Sequence, residues 1–319
     1  MQSIELCAGA GGQALGLERA GFEHVALIEI DAAACQTLRY NRPEWNVIEG
    51  DLTQFDASPY RGVELVAGGV PCPPFSKAGK QLGADDERDM FPHALRVVGE
   101  VAPMAVMLEN VRGLMDPQFA GYRQSISARL ARMGYWSDWR LFNAADFGVS
   151  QLRPRVLCVA LRKDIAPYFT WPEPQPNRAL PVGVLLGDLM AENGWEGAAA
   201  WVQGAKTIAP TLVGGSKKHG GPDLGPTRAR AAWASLGVDG RGVADTAPLP
   251  GFVGEPRLTV RMCARIQGFP DDWTFAGKKT PSYRQVGNAF PPAVAHAVGA
   301  QVAQAIRRFA DGQIIRRAA

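Results

Sequence analysis

The chain has 319 residues, 46% hydrophobic and 20% charged, with a net charge of +3. This is the composition of a globular chain, and no apolar run reaches the length of a membrane span. Five cysteines (7, 35, 72, 158 and 263) form no CxxC pair, which speaks against a disulfide scaffold or a zinc site. The length suggests one large domain plus a smaller one. Charge is uneven: residues 258–319 carry 9 basic and 3 acidic side chains, against 17 and 20 in residues 1–170. The basic end suits an anionic partner or, equally, a solvated helix end. Met1-Gln2-Ser3-Ile4-Glu5-Leu6 enters a strand pattern at once and has no basic leader, so no signal peptide is expected.

Ile4–Leu6 reads as a short strand. It runs into Cys7-Ala8-Gly9-Ala10-Gly11-Gly12 and then a helix from Gln13 to Ala20. Glycines let backbone approach a ligand, and the helix N-terminus offers free N–H groups. Val25–Ile30 forms a second strand, with Glu29 placed about 20 residues past the glycines, where an acid suits a ribose diol. Val47–Ile48 leads to Gly50-Asp51, another carboxylate at a strand end. Together these describe a nucleoside-binding half of a doubly wound α/β sheet. The pattern does not separate NAD from S-adenosylmethionine.

Leu65-Val66-Ala67-Gly68-Gly69-Val70-Pro71-Cys72-Pro73-Pro74 is an apolar strand ending in a cysteine fenced by prolines. Prolines fix φ and remove N–H groups, so a thiol is held at the carboxyl edge of the sheet, where such folds bind ligands. A buried cysteine beside a proline-rich turn is the alternative. Residues 77–89 are polar, carry glycine and lack a period; they read as a loop able to close over a substrate. Met90–Val101 is a helix, and Met104–Leu108 a buried strand ending in Glu109-Asn110-Val111. A carboxyl there is partly desolvated and able to donate a proton near neutrality. A helix around Tyr122–Met133 and strands around Tyr135–Leu141 and Val156–Leu161 complete the sheet. Before the last strand, Arg153 and Arg155 of Gln151-Leu152-Arg153-Pro154-Arg155 stand at period two. They point the same way, toward a carbonyl or phosphate oxygen or into a surface salt bridge.

From Trp171-Pro172-Glu173-Pro174 the texture changes to Gly- and Pro-rich segments. Loops carrying Lys217, Lys218, Arg228 and Arg230 suit phosphates and base edges, or plain solvent. Residues 257–270 read as a capped helix stopped by Gly268 and Pro270, and Ser282–Pro292 as a loop. An apolar helix, Ala293–Phe309, is expected to pack back on the first domain.

In this order, the motifs resemble those of the bacterial DNA (cytosine-5)-methyltransferase family over nearly the whole chain. Pro71-Cys72 matches the family's Pro-Cys, Glu109-Asn110-Val111 its Glu-Asn-Val, and Gln151 to Arg155 its Gln-x-Arg-x-Arg. Residues 7–12 resemble its first motif, with Cys7 in place of Phe, and Gln285 to Asn288 its last. Pro73 replaces a frequent Gln, and Ile30 stands where an aromatic often stacks on adenine.

The resemblance implies a Rossmann-like, S-adenosylmethionine-dependent methyltransferase fold with a smaller, loop-rich target-recognition domain. The expected division is 1–170 catalytic and cofactor-binding, 171–280 target-recognition, and 281–319 last motif and C-terminal helix. It implies Cys72 as the nucleophile on C6 of a flipped-out cytosine, Glu109 as the acid at N3, and Arg153 and Arg155 beside O2. A thiolate adding to C6 makes C5 electron-rich, which splits one hard step into easier ones. Implied cofactor contacts are Cys7, Ala8, Gly9, Ala10, Gly11, Gly12, Glu29, Ile30, Asp51, Leu52, Pro71, Asn288 and Ala289. The product would be S-adenosylhomocysteine, and no metal is expected. Implied DNA contacts are Ser76, Lys77, Lys80, Gln81, Lys217, Lys218, Arg228 and Arg230. The expected partner is double-stranded DNA, with room for a cognate restriction endonuclease acting separately. The expected setting is a monomer without membrane attachment, cytoplasmic and nucleoid-associated, bacterial or phage-encoded. Three rival readings are a dehydrogenase, which explains residues 4–30 and little else, a non-catalytic DNA-binding module, and an RNA methyltransferase of the same lineage.

Overall fold

Strands and helices alternate from the first residues. The computed structural model describes residues 1–71, 89–176, 178–215 and 221–318, with side chains to residue 313. In chain order these are β1 (Gln2–Leu6), α1 (Gly12–Arg19), β2 (Glu23–Glu29), α2 (Ala32–Asn41), β3 (Val47–Glu49) and β4 (Leu65–Gly68). Then come α3 (Phe91–Val101), β5 (Ala105–Val111), α4 (Ala120–Arg132), β6 (Tyr135–Asn143) and β7 (Pro154–Arg162). Among the described residues the strands form one sheet in the order β3-β2-β1-β4-β5-β7-β6. All neighbours are parallel except β7, which runs antiparallel to β5 and β6. The sheet is doubly wound, as its sequence pattern indicates. Strand order reverses between β1 and β4, and the carboxyl ends of those strands open a crevice.

Local chemistry sets the elements. Ile4, Leu6, Val66, Val106 and Leu108 are buried on one face of the sheet, and Ala67, Met107, Leu157 and Val159 on the other. Asp31 caps α2 by accepting from the N–H groups of Ala33 and Ala34. β5 continues through Glu109-Asn110-Val111 instead of stopping at Leu108, because those residues pair with Leu157, Val156 and Arg155 of β7.

The later chain adds α5 (Val182–Ala191), α6 (Ala198–Gly204), α7 (Thr227–Ala234), α8 (Val260–Gln267), α9 (Lys279–Asn288) and α10 (Pro292–Ala318). Thr259 caps α8, and Gly268 ends it with φ 92°. Two sequence expectations differ from the structure. Thr227–Ala234, carrying Arg228 and Arg230, is helix and not loop. Ser282–Asn288 belongs to α9. Pro281 is tolerated in the first turn, where its missing N–H has no role, and Tyr283 and Val286 are buried along the inner face. The break falls only at residues 289–291.

α10 lies on α1, with Val294, Ala295, Val298 and Val302 in one apolar cluster with Leu17 and Ala20. The helices α5–α9 bury Leu186, Trp201, Trp233, Ile266 and Val286 in a cluster continuous with Leu15, Leu27 and Leu38. Polar ties cross the same junction: Asn41 and Thr274 exchange two hydrogen bonds, of 2.7 and 2.8 Å. The Trp273 indole N–H donates to Ala10 O at 3.2 Å.

Candidate active site

The turn after β1 is unusual in its backbone. Cys7, Gly9 and Gly11 all have positive φ, at 52°, 55° and 86°. This is a comfortable region for glycine and a strained one for Cys7. The turn is fastened from β2: Glu29 Oε2 accepts from Gly9 N and Oε1 from Asp31 N, both at 2.7 Å. Each carboxylate oxygen keeps a free lone pair for a ligand hydroxyl. Space next to the Gly9 Cα is open.

These residues line a cavity of about 510 Å³ at the β1/β4 crevice. Of the expected cofactor set, Cys7, Ala8, Gly9, Ala10, Gly12, Glu29, Ile30, Asp51, Leu52, Pro71, Asn288 and Ala289 all face it. Gly11 does not line it; a side chain there would meet Leu38 and Trp273 in the core. Ile30 is 67% exposed, an apolar platform at the rim. Asp51 is held below the usual carboxylate range by hydrogen bonds from Thr53. A cavity of this size, with two acids at one end and an apolar rim, fits a nucleoside with an amino-acid tail.

Glu109 opens onto the same cavity from β5. Val111 is opposite Arg155 in the ladder, so Glu109 lies diagonal to Arg155 on the same face. Arg155 Nε is 2.8 Å from Glu109 Oε1, an ion pair without an aligned hydrogen bond at that nitrogen. Burial pushes the Glu109 carboxyl up; Arg155 and Arg153 pull against this without cancelling it. Gly69 keeps the other oxygen clear, since a Cβ there would stand 3.2 Å from Oε2. Asn110 Nδ2 donates to Val70 O at 2.8 Å, tying the Glu-Asn-Val segment to the end of β4. Pro71 O accepts from Met90 N at 3.0 Å. Cys72 follows directly, but it lies outside the described residues, as do Ser76, Lys77, Lys80, Gln81, Lys217 and Lys218 and most of the loop read over 77–89.

Arg153 is placed differently from the sequence expectation. It is 0% exposed. Its guanidinium donates to Leu212 O and Gly287 O at 2.8 Å, Ala289 O at 2.9 Å, and Gln151 Oε1 at 3.4 Å. It clamps the backbone of the 212 segment to the end of α9 and points at no open space. The contact is tight: a Cβ on Gly287 would lie 2.4 Å from Gly214 N. Asn288 Nδ2 meanwhile donates to Gly215 O at 3.2 Å. Arg228 is exposed on α7 and Arg230 half-buried there.

Sequence reading missed Glu5, Gln13 and Arg284, which also line the cavity. Arg284 had a signal, being adjacent to the Gln285–Asn288 motif. Glu5 had only its position between Ile4 and Leu6 in β1. Among the described residues, no group of three or more His, Cys, Asp and Glu side chains is placed to hold a metal ion. Among them, too, no helix is long and apolar enough to cross a membrane.

A doubly wound sheet whose glycine turn, Glu29, Asp51 and buried Glu109 face one cavity has the architecture of a nucleoside-dependent transferase. The model of the C-5 cytosine-specific DNA methylase family matches residues 1–304, and the chain belongs to that family. It is 59% identical over 309 residues to the type II methyltransferase M.NgoMIV of Neisseria gonorrhoeae, covering 96% of this chain and 98% of the relative. It is 57% identical over 319 residues to M.NaeI of Lentzea aerocolonigenes, covering 98% of this chain and 77% of that one. The fold matches the Entamoeba histolytica methyltransferase EhMeth (TM-score 0.65, 14% identity, 98% of both chains). It also matches Schizosaccharomyces pombe Dnmt2 (TM-score 0.62, 16% identity, 97% of this chain and 99% of that one). The chain is thus a DNA (cytosine-5) methyltransferase, and its family implies S-adenosylmethionine as methyl donor.

Proposed function

We propose that the cavity holds S-adenosylmethionine and that the edge formed by Pro71, Glu109 and Arg155 receives a cytosine turned out of duplex DNA. The observation that carries this reading is that Glu29, Asp51, Pro71 and Glu109 face one cavity, so the cofactor acids and the base-side acid share a single space. Glu29 and Asp51 would hold the ribose and adenine side, Ile30 would cover the adenine face, and Asn288 and Ala289 would close the far wall. When bound, the cofactor supplies an electrophilic methyl group.

The protein's own residues do the rest. Cys72 adds to C6 as thiolate. Glu109, whose carboxyl burial pushes up, gives a proton to N3 as the adduct forms, and Arg155 holds Glu109 and the base O2. Arg153 acts through the backbone it clamps. Once C5 carries the methyl group, a base takes the C5 proton, the C–H pair expels Cys72 Sγ from C6 as thiolate, and N3 returns its proton to Glu109. The segment 171–280, with Arg228 and Arg230, reads the target sequence. The names of the relatives support a restriction-modification setting; a monomeric enzyme acting on chromosomal DNA in the cytoplasm, with any endonuclease separate, is our own reading.

The experiment is to incubate the protein with unmethylated DNA and S-adenosylmethionine and map 5-methylcytosine at base resolution. One short recurring site is the expected result. Methyl groups found only on tRNA, or none on DNA, would overturn the reading.

A further inference from the structure

The cavity wall holds a cation that the reaction above does not use. Among the described residues, the charged side chains lining the cavity are the acids Glu5, Glu29, Asp31, Asp51 and Glu109 and a single base, Arg284 of α9. The Arg284 guanidinium makes no hydrogen bond among those residues; its ion-pair contact is Nη2 at 3.9 Å from Asp31 Oδ2. The two side chains are 21% and 22% exposed, so water still reaches the gap between them. A charge-assisted N–H···O bond runs to about 2.7–2.9 Å, which leaves this pair about 1 Å from closing.

Both ends of the pair are anchored. Asp31 Oδ1 caps α2 by accepting from Ala33 N and Ala34 N at 3.0 and 3.3 Å. The Asp31 N–H donates to Glu29 Oε1 at 2.7 Å, which sets Asp31 against the ribose-side acid and next to Ile30. On α9, Gln285 Oε1 accepts from Thr37 Oγ1 of α2 at 2.6 Å, and its Nε2 donates to Ala276 O at 2.9 Å. Gly214 abuts the same turn, where a Cβ would stand 2.5 Å from Arg284 O. The backbones are therefore fixed, and the freedom lies in the long Arg284 side chain. α2 and α9 are joined twice, by the buried Thr37–Gln285 bond and by a looser charge pair in the cavity wall. An ion pair open to water contributes little, and the same pair gains strength when water is displaced from it.

We propose that Arg284 and Asp31 form a latch over the nucleoside half of the cofactor, loose in the empty cavity and drawn to hydrogen-bond distance once the nucleoside displaces water from the gap. The latch sets how long the cofactor stays and takes no part in methyl transfer. The proposal rests on the reading of the cavity as the cofactor site.

Stopped-flow release of S-adenosylhomocysteine and of methylthioadenosine, which lacks the amino-acid tail, tests this. Arg284→Met removes the charge and keeps an unbranched stem. Asp31→Asn removes the charge and keeps a side-chain oxygen to cap α2. Each variant should release both ligands about ten- to a hundredfold faster, the scale of one hydrogen bond between charged groups. The double variant should release them no faster than either single one, because the same pair is lost in all three. The rate of methyl transfer with cofactor and DNA both bound should not change. Release at the wild-type rate would overturn the latch, as would additive effects in the double variant. Faster release of S-adenosylhomocysteine alone would overturn it by assigning Arg284 to the carboxylate of the tail. Weaker binding of duplex DNA with unchanged cofactor release would overturn it by assigning Arg284 to a phosphate. Should Asp31→Asn fail to fold, Arg284→Met with the two ligands decides. If the wild-type protein binds neither ligand nor S-adenosylmethionine, the cofactor reading itself falls, and the proposal with it.

Discussion

Replacing Arg153 by methionine tests whether this residue is a clamp or a substrate contact. Methionine fills most of the volume, so the change removes donors without opening a large cavity. Ala289 O keeps the Gln267 amide as a donor. Leu212 O and Gly287 O lose the guanidinium bonds of 2.8 Å, and Gln151 Oε1 keeps Leu212 N. Each buried carbonyl left without a donor costs about 1–3 kcal/mol. Two of them cost roughly 2–6 kcal/mol, reduced by the desolvation penalty that the lost charge no longer imposes. A net loss of about 3 kcal/mol is expected, a large share of a stability typically about 5–15 kcal/mol. Urea unfolding followed by tryptophan fluorescence would show it as a midpoint lowered by about 1 M or more, since Trp201 and Trp233 are buried in the cluster that the clamp adjoins. Lysine at 153 should recover little, because one ammonium does not span carbonyls from two segments. An unchanged midpoint together with a large loss of methyl transfer would refute the clamp and return Arg153 to the base.

Other outcomes follow from the same geometry. Cys72→Ala should lose all methyl transfer while still retarding duplex DNA in a gel; ordinary turnover would remove Cys72 from the mechanism. Glu109→Gln should lower transfer by about 10²–10⁴-fold. Burial raises the folded pKa of Glu109, so the proton-donating form is fully present at low pH and is lost as pH rises through that raised value. Wild-type transfer should therefore fall on the alkaline side, and a rate profile for the Gln variant with the same alkaline fall would assign it to another group. Glu5 in the cofactor-free protein obeys the same sign for stability. Its folded pKa is raised, so its contribution is intact below the unfolded value and declines as pH rises. Glu5→Gln should gain on wild type by about 1.4 kcal/mol per pH unit from roughly pH 4.5 up to the folded pKa, and parallel pH–stability curves would contradict this. Exchanging residues 171–257 with those of a relative of different specificity should move the methylated site; an unchanged site would place recognition elsewhere.

Much of the site was legible because it is local. The turn at residues 7–12, the acid after β2 and the Pro-Cys and Glu-Asn-Val segments each lie within a few residues, and strand periodicity placed them at one sheet edge. The cap at Thr259 is local in the same way. α9 was misread because Gly287, Asn288 and the prolines carry turn signals, while its helical register depends on burying Tyr283 and Val286 against distant partners.

The sequence by itself determined the alternation of strands and helices from β1 to β7, and the family. Only the tertiary structure decided which way individual side chains face. Arg153 and Arg155 are two residues apart and look equivalent in the sequence. One turns to carbonyls of Leu212, Gly287 and Ala289, and the other to Glu109, because their partners arrive from other parts of the chain. Glu5 is an ordinary acid until the sheet buries it beside Glu109 with no cation among its described neighbours. Strand and helix patterns come from neighbours within a few residues, whereas charge and hydrogen-bond partners are chosen in space.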